Sequence, residues 1–375
     1  MISLLNSVSK SDLSKIMLVT NQLQASPTGG RELLCKLNYD ILKSIYQERL
    51  VLFELPRKSP KSLISLIKVF SGHIDGLSDE MIAKSLRTIR LEDVDKVFVD
   101  GSNLGGIVKA IKQSHPQVEV STFFHNVESR FFLGSLRQAK TLRALAVLMV
   151  NYLAERNSVR YSDKVICLSE RDSLLLFKVY GHAATHISPM ALQDKLPLGN
   201  DQTFIESQER FVLFVGGSFY ANRDGITWFV KNVVPHLSIK TCIVGKGFDD
   251  LRLQLGQEDK VEVVGGVDSL AQWYRSSHFV IAPIFEGSGM KTKVAEALMF
   301  GKKIVGTSEA FSGYEQIAES AGWVCNTADE FVAAIDRTQK MVLHVFDPEM
   351  RALYEKTYSF PAARLRLSEI LDSAA

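Results

Sequence analysis

Cysteine is scarce in this chain of 375 residues: Cys35, Cys167, Cys242 and Cys325 stand far apart, without paired spacing. That excludes a disulfide scaffold or a zinc-finger framework and predicts small buried thiols in a reducing compartment. Neither sign of charge prevails. The 44 lysines and arginines against 42 aspartates and glutamates leave +2, so global electrostatics gives no case for nucleic acid as a partner. Long hydrophobic runs are missing too. The run at residues 144–150 is too short to span a bilayer, and the first apolar residues are broken by Asn6 and Ser7, unlike a secretory leader. There is no Gly-x-Gly-x-x-Gly, which leaves a dinucleotide cofactor weakly supported. No Asp-x-Asp sits at a strand end, so no metal is expected; Asp249-Asp250 follows a glycine turn and reads as a loop or helix start. The expected address is cytoplasmic, with the inner face of a membrane as the alternative.

What is present is a repeated alternation of short apolar runs, glycine turns and helical periodicity, in a chain long enough for two cores. Residues 16–20 (IMLVT) predict a strand, Gly29-Gly30 a turn, residues 31–47 a helix and 51–55 a second strand, a Rossmann-like start. Residues 57–72 are basic and amphipathic without an acid, which fits either an anionic surface or a solvated face. Residues 96–101 and 119–124 predict further strands. The second of these ends in His125-Asn126-Val127-Glu128-Ser129-Arg130, at a strand tip where α/β folds bind ligands. His125 suits proton transfer or polarisation of a sugar hydroxyl, while Asn126 as an N-cap and Glu128 in a first turn are the structural alternative. The helical stretch after it sets Arg130, Arg137, Lys140 and Arg143 against apolar residues 144–150. Docking of a charged or lipid-linked partner and core packing under a basic outer face explain it equally well.

Residues 191–208 lose the periodicity and carry Pro197, Gly199 and Asn200. The expected organisation is an N-terminal domain at 1–192, a linker at 193–208, a C-terminal domain at 209–345, and a helical segment at 346–375 packing back on the first domain. The alternation restarts at 211–217 (FVLFVGG), followed by a helix over 224–233 with Asn222 as its N-cap and Arg223 at its mouth. Lys246 stands between two glycines after the next strand, and Val267 follows the glycines of the one after that. Residues 279–307 (FVIAPIFEGSGMKTKVAEALMFGKKIVGT) then read as strand, glycine turn, helix from about Met290, glycine stop and strand. Backbone N–H groups and a helix dipole converge at Gly287-Ser288-Gly289, with Lys291 and Lys293 adding charge; this is a cradle for phosphate. Glu296, on the face of Lys293, suits ribose hydroxyls.

Together the segments GGSFYANRDGITWFVKNVVPHL, EGSGMKTKVAEALMFGKKIVGT, FFHNVESRF and YSDKVICLSERD resemble those of the retaining glycosyltransferases of the GT-B architecture, the group 1 type. The resemblance covers most of the chain and is stronger in the second half. It implies an α/β fold of two Rossmann-like domains with a cleft between them, and sugar transfer from a UDP- or GDP-linked donor to a glycan or lipid-linked acceptor in surface polysaccharide or glycoconjugate synthesis. Peripheral membrane contact is compatible with it. It implies donor contacts at Gly217, Asn222, Arg223, Lys246, Val267, Gly287, Ser288, Gly289, Met290, Lys291, Lys293 and Glu296. It implies acceptor contacts at Gly29, Gly30, Asn126 and Arg130, and a catalytic His125. Many members carry two glutamates separated by seven residues; here Ser288 holds the first of those positions and Glu286, two residues earlier, is the candidate at the sugar. A sugar-nucleotide isomerase or phosphorylase on the same fold, and a non-catalytic nucleotide-sugar-binding partner of another transferase, are the rival readings.

Overall fold

The computed structural model describes residues 14–24, 29–56, 74–196, 210–256, 258–287, 289–341 and 344–373. The basic stretch 57–72, Ser288 and linker residues 197–208 lie outside the described residues. The chain divides into two units: Met1–Pro189 with Ala363–Ala375, and Met190–Ala362.

In the first unit, apolar runs become strands, the inner ones buried on both faces as in covered parallel sheets. The strands are β1 (Ile16–Asn21), β2 (Leu50–Leu55), β3 (Lys96–Asp100), β4 (Glu119–Phe124), β5 (Lys164–Cys167) and β6 (His186–Ile187). All are parallel, in the order β2-β1-β3-β4-β5-β6. The helices are α1 (Gly30–Tyr46), α2 (Asp79–Leu91), α3 (Gly105–Ser114), α4 (Glu128–Ala139), α5 (Leu142–Tyr161) and α6 (Glu170–Tyr180). Met17, Val19, Val97 and Val99 of the sheet pack against Ile107, Val108 and Ile111 of α3. Chain order reverses between β1 and β3, so their carboxyl ends open the crevice where ligands bind in such sheets.

The second unit holds β7 (Phe211–Val215), β8 (Lys240–Val244), β9 (Val261–Gly265), β10 (Phe279–Ala282), β11 (Ile304–Gly306) and β12 (Gly322–Val324). Its order, β12-β11-β10-β7-β8-β9, is that of a Rossmann sheet, with the reversal between β7 and β10. Its helices include α7 (Tyr220–Asn232), α8 (Ala271–Ser276), α9 (Thr292–Met299), α10 (Ala328–Met341) and α11 (Pro348–Leu353). Gly225 lets α7 lie directly on the chain leaving β10: a Cβ there would sit 1.8 Å from the Pro283 carbonyl oxygen. Lys302 is wholly buried and donates to the carbonyls of Ser277 (2.6 Å), Arg275 (3.2 Å) and Val345. Burial pushes its pKa down to about 7.

Two boundaries differ from expectation. Leu192 bridges Ser359, and Asp194 pairs with Arg351, so residues 190–196 belong to the second unit. The C-terminal segment is divided: α11 is in the second unit, while α12 (Phe360–Asp372) reaches the first. Its end is tied there by Lys164 donating to the Ser373 carbonyl at 2.6 Å and Lys96 to that of Leu371. The lysines that hold this end stand far from it in the chain.

Candidate functional site

At the carboxyl edge of the second sheet, Lys293 is the organising side chain. It lies in the first turn of α9, and its Nζ donates to Asn222 Oδ1 at 2.9 Å. The ammonium stands 4.4 Å from the centre of the Phe214 ring, and a Cβ on Gly216 would come within 3.2 Å of it. Lys293 therefore crosses the reversal point from α9 to the tip of β7. Asn222 Nδ2 donates in turn to the Gly217 carbonyl at 2.7 Å. Burial holds the pKa of Lys293 down to about 7; Glu296 pulls it up and Lys291 pushes it further down. An ammonium this poorly solvated is strengthened by any anion that arrives.

Glu296, one turn further along α9, accepts from the Tyr274 hydroxyl at 3.2 Å and from Lys195 Nζ at 3.4 Å. Tyr274 is fully buried and stacked on Phe300, ring centres 4.9 Å apart. Burial first, and Glu296 second, push its phenol well above the usual range, so it stays a donor. The loop into α9 uses Gly287 at φ +146° and Gly289 at φ +64°, the left-handed region that favours glycine. At the neighbouring tips, Ser218 N–H donates to the Lys246 carbonyl at 2.9 Å, and a Cβ on Gly266, just before Val267, would touch Lys246 Cγ. Gly217, Lys246 and Val267 are thus brought to one edge.

Two expectations about helix ends are corrected here. Asn222 is not the cap of its helix: α7 begins two residues earlier and Phe219 is the N-cap, which releases the amide to bridge Lys293 and Gly217. The helix after the glycines starts at Thr292 rather than Met290. Lys291 is already engaged, donating to Glu309 Oε1 at 2.9 Å and to the Gly289 carbonyl at 2.8 Å. Arg223 is exposed and lines a groove of about 500 Å³ with Lys231, Leu251 and Gln254, on the flank of α7. Glu286 is exposed and lines a separate cavity of about 300 Å³ with Asp224, Trp228, Phe285 and Asn326.

The edge of the first sheet is built differently. Asp100, at the tip of β3, is completely buried and receives groups from three other elements. His125 Nε2 lies 2.7 Å from Oδ1, Asn38 Nδ2 2.9 Å from the same oxygen, and Thr20 Oγ1 3.2 Å from Oδ2. Burial favours the neutral acid, but the His125 charge and the hydrogen bonds from His125, Asn38 and Cys35 outweigh it, and the pKa falls below the usual carboxylate value. An ionised Asp100 can only accept, so His125 Nε2 carries the proton and, in the neutral ring, Nδ1 is left as an acceptor. Among the described residues, Cys35, Asp100 and His125 are the one set close enough to share a metal ion. Their atoms already bond one another, and burial pushes the Cys35 thiol far up, away from the thiolate a metal would need.

Around this pair, Arg31 donates to Asp75 Oδ2 (2.7 Å), Asn21 Oδ1 (2.8 Å) and Asn103 Oδ1 (3.2 Å). Gly29 is the N-cap of α1, its N–H donating to Glu32 Oε2 at 2.7 Å, and Gly30 opens the helix. Asn126 is not an N-cap either; Val127 holds that place, and the buried Glu155 carboxylate receives the N–H groups of Glu128 (2.9 Å) and Ser129 (3.1 Å). Asn126 Nδ2 is 3.4 Å from Glu128 Oε1, while its buried Oδ1 finds no partner among the described residues. Burial pushes the Glu128 carboxyl up to about 7 against the pull of Arg31, with Glu155 adding to the rise. Arg130 is exposed on α4. Asp100, Arg31, Asp75, Glu155, Tyr274 and Lys195 were not singled out by pattern. Only Asp100 left a trace, as the acid closing the run KVFVD.

The sequence profile described as glycosyl transferases group 1 matches residues 209–340. No curated protein sequence matches the chain. Among solved structures, sucrose-phosphate synthase from Thermosynechococcus elongatus superposes with a TM-score of 0.70 at 15% identity, over 95% of this chain and 98% of that one. Anabaena HepE in complex with UDP-glucose gives 0.65 at 14% identity, over 96% and 100%. The lipopolysaccharide outer core galactosyltransferase WaaB, in its apo form, gives 0.66 at 12% identity, over 95% and 99%. At these identities the likeness establishes the two-Rossmann GT-B fold.

Proposed function

We propose that this chain, whose residues 209–340 belong to the glycosyl transferases group 1 family, moves a sugar from a nucleoside-diphosphate sugar to a hydroxyl of a glycan or lipid-linked acceptor, with retention at the anomeric carbon. The observation that carries the reading is the buried Lys293, held by Asn222 at the reversal point of a Rossmann sheet beside a glycine-rich helix start. A diphosphate leaving group is what such a cation and its neighbouring N–H groups would steady, as preorganised electrostatic stabilisation in place of a metal. Glu296, oriented by Tyr274 and Lys195, would receive the ribose hydroxyls. UDP-glucose is bound by HepE, which supports a uridine donor.

The first unit would hold the acceptor. His125, its tautomer set by Asp100, offers Nδ1 to a sugar or acceptor hydroxyl, and Asn126 Oδ1 is a second acceptor awaiting a donor. In front-face transfer the bond from the anomeric carbon to phosphate oxygen breaks and the bond to the acceptor oxygen forms. The acceptor's proton passes to the departing phosphate, so no separate base is consumed. Glu286 lines its own cavity with Asp224 and Trp228; the second reading is a protein that binds the donor and serves another transferase.

The test is nucleotide release from UDP- and GDP-sugars with and without glycan acceptors. Release that needs an acceptor, with the anomeric configuration kept in the product, supports transfer. Binding without turnover across the panel supports the partner reading.

A further inference from the structure

Two hollows along α7 are lined by none of the residues that hold Lys293 or Asp100. Ala221, Asp224, Gly225 and Trp228 follow one another at steps of three and four, so they share one face of α7. That face meets Phe285 and Glu286, which follow β10, and Asn326, which follows β12, around the cavity of about 300 Å³. Arg223, Thr227 and Lys231, at steps of four, share the next face and line the groove of about 500 Å³. Asp224 and Trp228 border both, so cavity and groove adjoin there. Together they follow α7 from Ala221 to Asn232, about 16 Å at the rise of a helix, longer than one sugar ring.

The aromatic walls of the cavity are held in place. The Trp228 ring meets Phe285 edge to face at 4.6 Å and the buried Phe331 at 5.9 Å between ring centres. Phe285 is nevertheless 40% exposed. The polar groups are of both kinds. Asn326 Oδ1 accepts from the Ser308 N–H at 3.1 Å and Oγ at 3.0 Å, which orients the amide. Among the described residues its Nδ2 meets no acceptor, so both of its hydrogens remain to be donated. Asp224 and Glu286 bring acceptors, and Asp224 pairs with no cation among the described residues. Burial first, then Glu286, Asp224 and Glu309, push up the pKa of neighbouring Tyr220.

A diphosphate is repelled by these carboxylates and brings no donor for them. A bare cation suits the carboxylates and the rings but has no use for the Asn326 donor. A sugar uses every group: its C–H face lies on an aromatic ring, while its hydroxyls donate to carboxylates and accept from an amide. We infer that the cavity is a glycan-binding subsite, separate from the donor cradle at Lys293. An uncharged sugar unit sits against Trp228 and Phe285, hydrogen-bonded to Asp224, Glu286 and Asn326, and the chain continues into the groove past Thr227. Binding there does not depend on the transfer reading. What rests on that reading is the use: a second hold on the glycan, in the unit that carries the donor cradle.

The experiment is saturation-transfer NMR on the full chain with malto-, cello-, manno- and galacto-oligosaccharides and their monosaccharides, with and without saturating UDP. At least one oligosaccharide should bind with a Kd of about 0.1–1 mM, about fivefold or more tighter than its monosaccharide. Saturating UDP should change that Kd less than about twofold, since the two sites are separate. Trp228→Ala should weaken binding about tenfold or more, and Trp228→Phe should keep most of it. Asp224→Ala with Asn326→Asp, which leaves the Ser308 bonds an acceptor, should cost about tenfold. Near-ultraviolet circular dichroism and the thermal midpoint show whether each variant folds; if Trp228→Ala does not, the exposed pair Asp224 and Asn326 decides. No saturation transfer to any of these glycans, loss of the signal in UDP, normal binding by the folded double variant, monosaccharide held as tightly as its oligomer, or oligolysine held more tightly than the sugars each overturns the proposal. A wild type that binds glycan but no UDP counts against transfer, not against this subsite.

Discussion

The carboxyl edges of the two sheets solve the same problem with different materials. The second edge is made chiefly of backbone: glycine turns, helix starts and one lysine that runs from α9 to the tip of β7. The first is made of side chains: Asp100 collects Thr20, Cys35, Asn38 and His125 from three elements, none of them its own. The comparison teaches which chemistry each can perform. A backbone cradle suits a ligand whose charge is always the same, such as a diphosphate. A histidine oriented by a buried carboxylate suits a proton or hydroxyl whose position must be chosen.

The sharpest way to break this comparison is at the first edge. His125→Ala should lower kcat by about 10³ with the donor KM changed less than about threefold, the scale of a lost proton-transfer or polarising group. Asp100→Asn should lower kcat by about 10² and alter its pH profile, because the amide no longer fixes which ring nitrogen carries the proton. Steady-state kinetics across pH checks both, and a normal rate in either variant removes the pair from the reaction. At the second edge the effect should fall on binding instead. Glu296→Ala is expected to weaken nucleotide affinity about thirty- to a hundredfold, about 2–3 kcal/mol for hydrogen bonds to a charged group, with the thermal midpoint nearly unchanged. Calorimetry decides it, and an unchanged Kd would move the ribose elsewhere.

Two lysines of the second unit separate structure from function. Lys302→Met should cost about 2–3 kcal/mol in denaturant unfolding, since three buried carbonyls lose a charged donor. The folded pKa of Lys302 is about 7 against an ordinary 10.5. The unfolded state therefore binds more protons across that window, and this lysine makes stability rise with pH through it. The variant should lose that part of the rise; an unaltered pH dependence would mean that Lys302 is not depressed. Lys293 shows the smallest and most diagnostic effect. Its pKa is also about 7 in the free protein, and a diphosphate would raise it, so binding takes up a proton above pH 7. Nucleotide affinity should fall as pH rises from about 7 to 9, by at most tenfold per unit, and Lys293→Met should flatten the slope. Calorimetry in buffers of differing ionisation enthalpy reads the proton directly.

Residues 279–307 show how far local pattern reaches. Strand, glycine turn, helix and strand were legible there because each is a short-range property: apolar run, missing Cβ, period of 3.6. The direction taken by Lys293 was not. As Lys-x-x-Glu it resembles a solvated helix pair, and only the packing of α7 on the Pro283 carbonyl through Gly225 brings Asn222 within 2.9 Å of it. The same limit explains Asn222 read as a cap and Lys291 read only as added charge: their partners, Lys293 and Glu309, are set by tertiary packing. His125 was found by its place after an apolar run, whereas Asp100 and Asn38, 25 and 87 residues upstream, carry no mark of joining it.

By itself the sequence determined the alternation of strands and helices, the glycine turns at the strand ends and the family resemblance of its second half. These follow from periodicity and steric permission, which act over a few residues. The tertiary structure alone decided which polar groups meet: the carboxylate that orients His125, the amide that holds Lys293 and the phenol that holds Glu296. Hydrogen bonds and desolvation depend on distance in space, and strand order brings residues far apart in the chain within 3 Å.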